Sequence, residues 1–275
     1  MTESIASNIA DTAYEIVGSG PPMVLIHGVG LDRKMWTPMV TRLARRHTIV
    51  RYDLAGHGES GAGALGINLA GFADQLERLL DHLNLQQVTL VGFSLGALIA
   101  RRFASACPDK LTHLILISSV FQRRAEQIAA VQSRLDQATE DGTDSIIDAA
   151  IARWFTPAFI ARSPGTIGQV RARLLCNKRE HFLAAYKIFA EPERPRNADL
   201  RRIGCPALVT TGALDSGSTP DMARALAAAL GKGRAVILPD LAHMAPVEGA
   251  DAMAQLLLDF LNEHASDLHL LPEEE

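Results

Sequence analysis

The sequence has few cysteines, no long apolar run and no basic N-terminal segment. Its 275 residues include three cysteines, Cys107, Cys176 and Cys205, whose wide spacings match no metal-ligand pattern. We therefore expect buried free thiols in a reducing compartment, which indicates a cytoplasmic protein. No stretch of 18 or more residues is apolar, and residues 1–4 (MTES) lack the positive charge of a signal peptide. We expect neither a membrane span nor a secretory leader.

The sequence also has fewer positively than negatively charged residues. The 27 Lys and Arg residues are outnumbered by 31 Asp and Glu residues, which gives a formal net charge of −4. Binding to nucleic-acid phosphates needs clustered positive charge, so this balance argues against a nucleic-acid partner. Hydrophobic residues make up 48% of the chain and charged residues 21%, as in ordinary globular proteins. The length suits one domain that carries an insertion.

The most informative segment is GFSLG at residues 92–96, which follows the apolar run 88–91 and precedes a helix-like apolar run. This order indicates a strand, a tight turn and a helix, with Ser94 at the apex of the turn. Gly92 and Gly96 would keep side chains out of the space where strand and helix approach each other. The first N–H groups of the new helix point at the same spot as the hydroxyl. Ser94 is therefore a candidate nucleophile, provided that a base lies nearby.

Two further strand-like runs supply a base and its orienting acid. Residues 207–212 lead into Asp215, and residues 234–238 lead into His243. The order Ser, Asp, His, with each residue after a strand, is that of α/β-hydrolases and differs from the orders of the two other well-known serine triads. The sequence therefore predicts a catalytic triad of Ser94, Asp215 and His243.

Over about residues 10–262 the chain resembles the α/β-hydrolase superfamily. Besides the serine motif and the residue order, the resemblance rests on HGVG at residues 27–30, which looks like an oxyanion loop, and on the glycine-rich turn at residues 53–60. Within the superfamily the sequence is similar to 3-oxoadipate enol-lactonases and related small esterases. The segments that carry this likeness are HGVGLDRKMW (27–36), RYDLAGHGES (51–60), RWFTPAF (153–159) and GALDSGSTP (212–220).

The alternation of strand and helix patterns predicts an α/β-hydrolase fold, with a mostly parallel eight-stranded sheet and helices on both faces. The alternation stops after the sixth strand, where residues 119–198 read as helical. The resemblance implies that this stretch is a helical cap over the active site. We predict a core formed by residues 1–118 and 199–265, the cap at 119–198, and a frayed acidic tail at 266–275.

Other side chains fit the roles of acid and base less well. Some members of the superfamily carry the acid after the sixth strand, but residues 117–120 read ISSV here and contain no carboxylate. Asp240 is only three residues before His243, too near in sequence to fold back easily as its partner. His57 lies in the glycine-rich turn, and His113 lies inside a strand pattern. Structural roles are favoured for both.

The resemblance also implies an oxyanion hole and a substrate pocket. The backbone N–H groups of Val29 and Leu95 are the expected oxyanion donors, and neither position needs a particular side chain. Residues of the oxyanion loop and large apolar residues near the site are candidate pocket residues, although core packing is the more frequent role of large apolar side chains. The candidate pocket residues are His27, Gly28, Gly30, Trp36, Phe121, Trp154 and Met244.

These features predict a serine hydrolase, a carboxylic ester hydrolase that needs no metal or organic cofactor and cleaves a small-molecule ester or lactone through an acyl-enzyme. Residues 121–197 contain 12 Arg or Lys and 9 Asp or Glu, so a mildly basic cap would attract an anionic substrate. Hydrolysis of a carbon–carbon bond in a ring-fission product and perhydrolysis are alternatives on the same triad. A non-catalytic receptor for a small molecule is a further alternative on this fold. Both a monomer and a homodimer remain open.

Overall fold

The computed structural model describes residues 5–9, 11–62, 68–191 and 200–264 of the chain. Eight strands form a single sheet. They are β1 (Ile5–Ile9), β2 (Thr12–Val17), β3 (Pro22–Ile26), β4 (Thr48–Tyr52), β5 (Val88–Phe93), β6 (Leu111–Ile117), β7 (Ala207–Gly212) and β8 (Gly233–Leu238). Their order across the sheet is β1-β2-β4-β3-β5-β6-β7-β8.

The sheet is mostly parallel because its strands are joined by helical crossovers. The β1–β2 and β2–β4 pairs are antiparallel, and the other five pairs are parallel. All six residues of β5, at the centre of the sheet, are buried, as expected of a strand that is covered on both faces. The predicted α/β-hydrolase fold is confirmed, and the carboxyl ends of β5, β7 and β8 meet at one edge of the sheet.

Helices cover both faces of the sheet and form the insertion after β6. They are α1 (Thr37–Leu43), α2 (Leu69–His82), α3 (Leu95–Ala106), α4 (Ala125–Glu140), α5 (Ile147–Trp154), α6 (Pro157–Arg162), α7 (Pro164–Leu175), α8 (Arg179–Ala190), α9 (Pro220–Ala229), α10 (Ala245–Glu248) and α11 (Ala250–Glu263). Apolar residues of α2, α3 and α9 pack in one core cluster, and those of α1 and α11 pack in the other. Within the described residues, every helix is too short or too polar to cross a lipid bilayer.

In its described residues, the insertion between β6 and β7 contains α4 to α8 and one short 3₁₀ helix, Thr143–Ile146. Part of it has its own apolar cluster, which joins Val131 and Leu135 of α4 to Phe182 and Tyr186 of α8. Phe155, next to α5, packs instead in the core cluster that contains residues of α1 and α11. The insertion is therefore attached to the core by its own apolar side chains. Of the predicted domain segments, residues 1–4, 10, 63–67, 192–199 and 265–275 lie outside the described residues, and so does the whole predicted tail.

The cysteines are free, but the expectation that all three are buried is wrong. Cys176 is exposed, and Cys107 and Cys205 are half-buried. Cys176 directly follows the last residue of α7, a helix whose inward side chains are Val170 and Leu174. Its place at the end of the helix, off that inward face, leaves the thiol at the surface.

Candidate active site

The turn between β5 and α3 holds Ser94 in a strained conformation. Its φ of 54° and ψ of −113° lie in a region that L-residues rarely adopt. The strain is fixed by hydrogen bonds on both sides, because the N–H of Ser94 donates to the carbonyl of Ile117 (3.0 Å) and its carbonyl accepts from the N–H of Ala97 (3.0 Å). Ser94 therefore stands at the carboxyl edge of the sheet, with its side chain clear of both elements.

Gly92 and Gly96 make this turn sterically feasible. A Cβ at position 92 would collide with the carbonyl of Gly96, and a Cβ at position 96 would collide with the carbonyl of Ile26 in β3. Both obstacles are backbone atoms, which cannot rotate away as a flexible side chain would. The two glycines thus allow β5, α3 and β3 to approach each other closely at the serine.

Asp215 and His243 form a hydrogen-bonded pair at the ends of β7 and β8. The Nδ1 atom of His243 lies 2.8 Å from Oδ2 of Asp215. Asp215 is almost fully buried, and its other oxygen, Oδ1, accepts from the N–H groups of Gly217 and Ser218, each at 2.9 Å. Thr211 donates its hydroxyl to Oδ2 at 2.9 Å. The carboxylate is held in place by four donors.

The environment of Asp215 keeps it ionised. Burial alone would raise the pKa of Asp215, but the attraction and hydrogen bond of His243 and the backbone donors outweigh burial, so this pKa lies below its ordinary value. An ionised carboxylate accepts only, so Nδ1 of His243 must carry the proton in the pair. In the neutral imidazole, Nε2 is then unprotonated and available as a base.

The loop that carries His243 is tied to both the sheet and the insertion. The hydroxyl of Ser118, at the end of β6, donates to the carbonyl of His243 (2.9 Å). The buried carboxylate of Glu248 accepts from the N–H of Ala242 (3.0 Å) and, on its other oxygen, from the N–H (3.1 Å) and hydroxyl of Thr156. These bonds fix the position of the imidazole relative to Ser94.

A cavity of about 210 Å³ between the sheet and the inserted helices is lined by Ser94, Asp215 and His243 together. Val29 and Trp154 also line it, and the Trp154 ring lies 6.0 Å from the His243 ring, centre to centre. Among the described residues, Ser94 Oγ makes no hydrogen bond, and contacts of a nucleophile with its base often tighten only when substrate is bound. The cavity is smaller than the ~300 Å³ at which pockets for drug-sized ligands begin, so a small substrate fits it.

The N–H groups of the expected oxyanion donors, Val29 and Leu95, have no acceptor among the described residues. Leu95 is the first residue of α3, where a backbone N–H has no acceptor within the helix. Within the described parts of the chain, the N–H of Val29 likewise meets no acceptor. The Leu95 side chain is fully buried, so any role of Leu95 in the site belongs to its backbone.

His27, Gly28 and Gly30 lie in the predicted oxyanion loop and do not line the cavity. His27 is fully buried: its Nε2 accepts from the N–H of Leu54 (2.9 Å), and its Nδ1 donates to the carbonyl of Gly28 (2.8 Å). A Cβ at Gly28 would lie 3.2 Å from the Cβ of Ser94. Gly30 has a φ of 73°, which favours glycine. These residues position the loop's backbone, because hydrogen bonding and close packing leave no free surface on them.

Trp36, Phe121 and Met244, which the sequence also indicated as pocket candidates, lie outside the lining. Each is no more than 2% exposed. Trp36 packs edge-on against Phe93, with ring centres 6.4 Å apart, and the guanidinium of Arg101 lies 5.6 Å from the ring centre of Phe121. Core packing occupies all three side chains, and of the seven pocket candidates only Trp154 faces the cavity.

Several lining residues on the inserted helices were not foreseen individually. Along α4 they recur at the spacing i, i+3, i+4 and i+7, which marks one face of a helix. They are Gln127, Ala130, Val131 and Arg134. On α5, Ala150 and Arg153 line the cavity in the same way, beside the predicted Trp154. In both helices, the sequence feature that could have indicated these lining positions was an arginine on a mostly apolar helix face.

Two neighbouring histidines beneath the site are kept neutral by burial. His57 is 1% exposed, and its ring centre lies 5.3 Å from that of His27. Burial first, and repulsion by His27 second, lower the pKa of His57 from 6.5 to about 3. Burial also lowers the pKa of His27, whose Nε2 must stay unprotonated to accept the N–H of Leu54.

We expect the free energy of unfolding to fall as the pH is lowered from about 6.5 towards 4. The unfolded chain binds protons at these two histidines in this range and the folded chain does not, so stability rises with pH. Each such histidine contributes a slope of up to ~1.4 kcal/mol per pH unit. Urea unfolding at pH 7 and pH 5 measures the loss, and His57→Gln should reduce it. An identical loss in the variant would contradict this origin.

The chain matches the alpha/beta hydrolase family over residues 23–256, and it belongs to that family. It is 29% identical over 257 residues to the (E)-2-((N-methylformamido)methylene)succinate hydrolase of Acinetobacter baylyi, covering 93% of this chain and 95% of that protein. It is also 28% identical over 200 residues to 3-oxoadipate enol-lactonase 2 of Acinetobacter baylyi, covering 72% of this chain and 73% of the relative.

Two solved structures to which this chain is similar are also hydrolases. The enol-lactonase of Burkholderia xenovorans LB400 superposes with a TM-score of 0.85 at 26% identity, covering 94% of this chain and all of that one. A thermophilic esterase of Thermogutta terrifontis, with malate bound, superposes with a TM-score of 0.83 at 28% identity, covering 96% and 98%. The chain is therefore an enzyme, a hydrolase of the α/β-hydrolase fold.

Proposed function

We propose that the protein is a serine hydrolase that cleaves a small-molecule ester or lactone through an acyl-enzyme, with Ser94 as nucleophile, His243 as general base and Asp215 as orienting acid. The observation that carries the proposal is the arrangement around one cavity. A serine on a strained turn, whose side chain makes no hydrogen bond among the described residues, faces the same cavity as a histidine paired with a buried carboxylate. The names of the enol-lactonase and esterase relatives support an ester or lactone as the substrate.

The proposed reaction has two acyl-transfer steps. Nε2 of His243 takes the hydroxyl proton of Ser94 as Oγ attacks the carbonyl, and Asp215 stabilises the resulting imidazolium through Nδ1. The oxyanion accepts from the N–H groups of Val29 and Leu95, each of which contributes about 3–4 kcal/mol to stabilising the transition state in comparable enzymes. His243 then protonates the leaving oxygen, and a water activated by the same imidazole releases the acyl group. Residues 119–198 are proposed as the cap that covers this chemistry.

The test is covalent trapping of the nucleophile. We expect p-nitrophenyl acetate to give a burst of about one p-nitrophenolate per chain, because an acyl-enzyme accumulates when deacylation is slower. A fluorophosphonate should label one site, and peptide mass spectrometry should place the label on Ser94. His243→Gln should abolish both signals, because the hydroxyl then has no base. A label on another serine, or full turnover without any label, would overturn the proposal.

A further inference from the structure

Three arginines of the insertion line the cavity: Arg123, Arg134 and Arg153. Arg123 has a structural role, because its Nη2 donates to the carbonyls of Phe189 (2.9 Å) and Glu191 (2.7 Å). Its guanidinium also lies 5.3 Å from the ring centre of Phe189. Arg123 therefore links the start of the insertion to the end of α8.

Within the described residues, Arg134 on α4 and Arg153 on α5 make no such hydrogen bonds to backbone carbonyls. Both are half-buried, and within the described residues neither has a carboxylate within ion-pair distance. Among the described residues, Arg134 donates only from Nε, to the hydroxyl of Tyr186 at 3.2 Å. Three other arginines of the insertion have acidic partners: Arg124 pairs with Glu126, Arg171 with Asp148, and Arg173 with Asp32. Unlike these three, Arg134 and Arg153 line the cavity with no acidic partner among the described residues.

Arg134 and Arg153 line the same cavity, and the positive charge of Arg134 acts on Arg153. The pKa of Arg153 lies below its ordinary value, first because of burial and second because of the positive charge of Arg134. Holding two like charges half-buried without an anion costs free energy, and a bound anion would offset that cost. Such an unfavourable arrangement is typical of a ligand site rather than of a stabilising feature.

Among the described residues, no acid of the cavity wall can serve as that anion. Within the described parts of the chain, Asp215 is the only acidic residue that lines the cavity. Its oxygens already accept from His243, Thr211 and two backbone N–H groups. The described residues thus provide no carboxylate for the two arginines, and a ligand can supply the negative charge. A planar carboxylate matches the fork of an arginine, which donates two parallel hydrogen bonds.

We propose that Arg134 and Arg153 form a subsite for a free carboxylate of the substrate. Both arginines belong to the inserted helices, whereas Ser94 and His243 belong to the sheet side of the same cavity. A substrate whose acid group binds the arginines would present its ester or lactone carbonyl to Ser94, and a cavity of about 210 Å³ limits it to a short diacid monoester or acidic lactone. The location of the scissile bond rests on the proposed function, whereas carboxylate binding does not.

A binding experiment tests the subsite without relying on hydrolysis. Ser94→Ala protein is titrated with succinate in a calorimeter, with neutral succinamide as the matched ligand. We expect one succinate per chain and no detectable binding of succinamide. Arg134→Gln or Arg153→Gln, added to this background, should weaken succinate binding about 10- to 100-fold, the effect of losing a charged hydrogen-bonded partner. Thermal unfolding of each variant checks that it is folded, and Arg153→Lys, which keeps the charge, should bind more tightly than Arg153→Gln.

The matched control is Arg162→Gln, which removes a cation of the insertion outside the cavity lining. Arg162 is exposed, and its guanidinium lies 4.8 Å from the ring centre of Phe159. It should leave the succinate Kd within about twofold, because loss of distant charge is screened by salt. No binding of succinate by the parent, or equal binding by the parent and the arginine variants, would overturn the subsite.

A kinetic experiment distinguishes a failure of the carboxylate subsite from a failure of the proposed function. Monomethyl succinate and methyl succinamate have nearly the same shape and differ in charge. We expect the kcat/KM ratio of the charged to the neutral ester to exceed ten in the native enzyme and to fall at least tenfold in each arginine variant, mainly through KM. A ratio near one in the native enzyme would contradict the subsite. If neither ester is hydrolysed, the proposed function is contradicted, and the succinate titration still decides the subsite.

Discussion

Replacing Ser94 by alanine should lower kcat for p-nitrophenyl acetate by about 10⁴- to 10⁶-fold, the range found when the nucleophile of a comparable triad is removed. The reason is that no acyl-enzyme can form, so only water activated by His243 and the oxyanion donors would remain. Steady-state hydrolysis and the pre-steady-state burst measure the effect. The burst should disappear completely.

The folded structure should tolerate this change. Ser94 Oγ makes no hydrogen bond among the described residues, and alanine has the same backbone requirements as serine at a φ of 54°. The free energy of unfolding should change by less than about 0.5 kcal/mol. Ser105→Ala is the matched control, because Ser105 lies on α3, the helix that follows Ser94, and among the described residues its hydroxyl bonds only to the carbonyl of Arg101 (2.9 Å). Comparable turnover in Ser94→Ala and the native enzyme would remove Ser94 from the mechanism.

Replacing Asp215 by asparagine should lower kcat by about 10⁴-fold with little change in structure. Asparagine can still accept from Gly217 and Ser218 through its carbonyl, but its amide would donate to Nδ1 of His243. The proton of the neutral imidazole would then lie on Nε2, which could no longer act as a base. Thr211, which loses its acceptor, can donate instead to the carbonyl of Ser218 at 3.0 Å.

Asp240 provides the control for this substitution. It is an exposed acid three residues before His243, with a φ of 58°, a conformation that asparagine tolerates well. Asp240→Asn should retain activity within about twofold. Steady-state kinetics of the two variants at the same pH decide between the two acids. A larger loss in Asp240→Asn than in Asp215→Asn would show that the wrong carboxylate was assigned.

The acid partner illustrates how the structure adds to sequence order. Sequence order and the absence of a carboxylate at residues 117–120 selected Asp215. Ser118, in that same segment, donates to the backbone of His243 and so acts on the base without being an acid. Nothing in the local sequence indicated this contact, because it joins residues 125 positions apart. Such a long-range hydrogen bond forms only because the fold brings the end of β6 next to the loop after β8.

Much of the fold was predictable because its signals are local. Gly92, Ser94 and Gly96 mark the strand–turn–helix, since only glycine leaves room for the backbone contacts at positions 92 and 96. Fully apolar strands and alternating helices likewise predicted a parallel sheet covered on both faces. The pocket was less predictable: Trp36 and Met244 look like pocket walls in sequence, but helix and sheet packing buries them.

The sequence by itself determined the class of fold, the serine turn and the order of the three candidate catalytic residues, because turn sterics and strand patterns act within a few neighbouring residues. Only the tertiary structure decided which side chains face the cavity. Arg134 and Arg153 lie 19 positions apart on separate helices, and both line the cavity because of how the inserted helices pack. Packing of separate elements depends on the whole apolar surface of the chain, and no short segment carries that information.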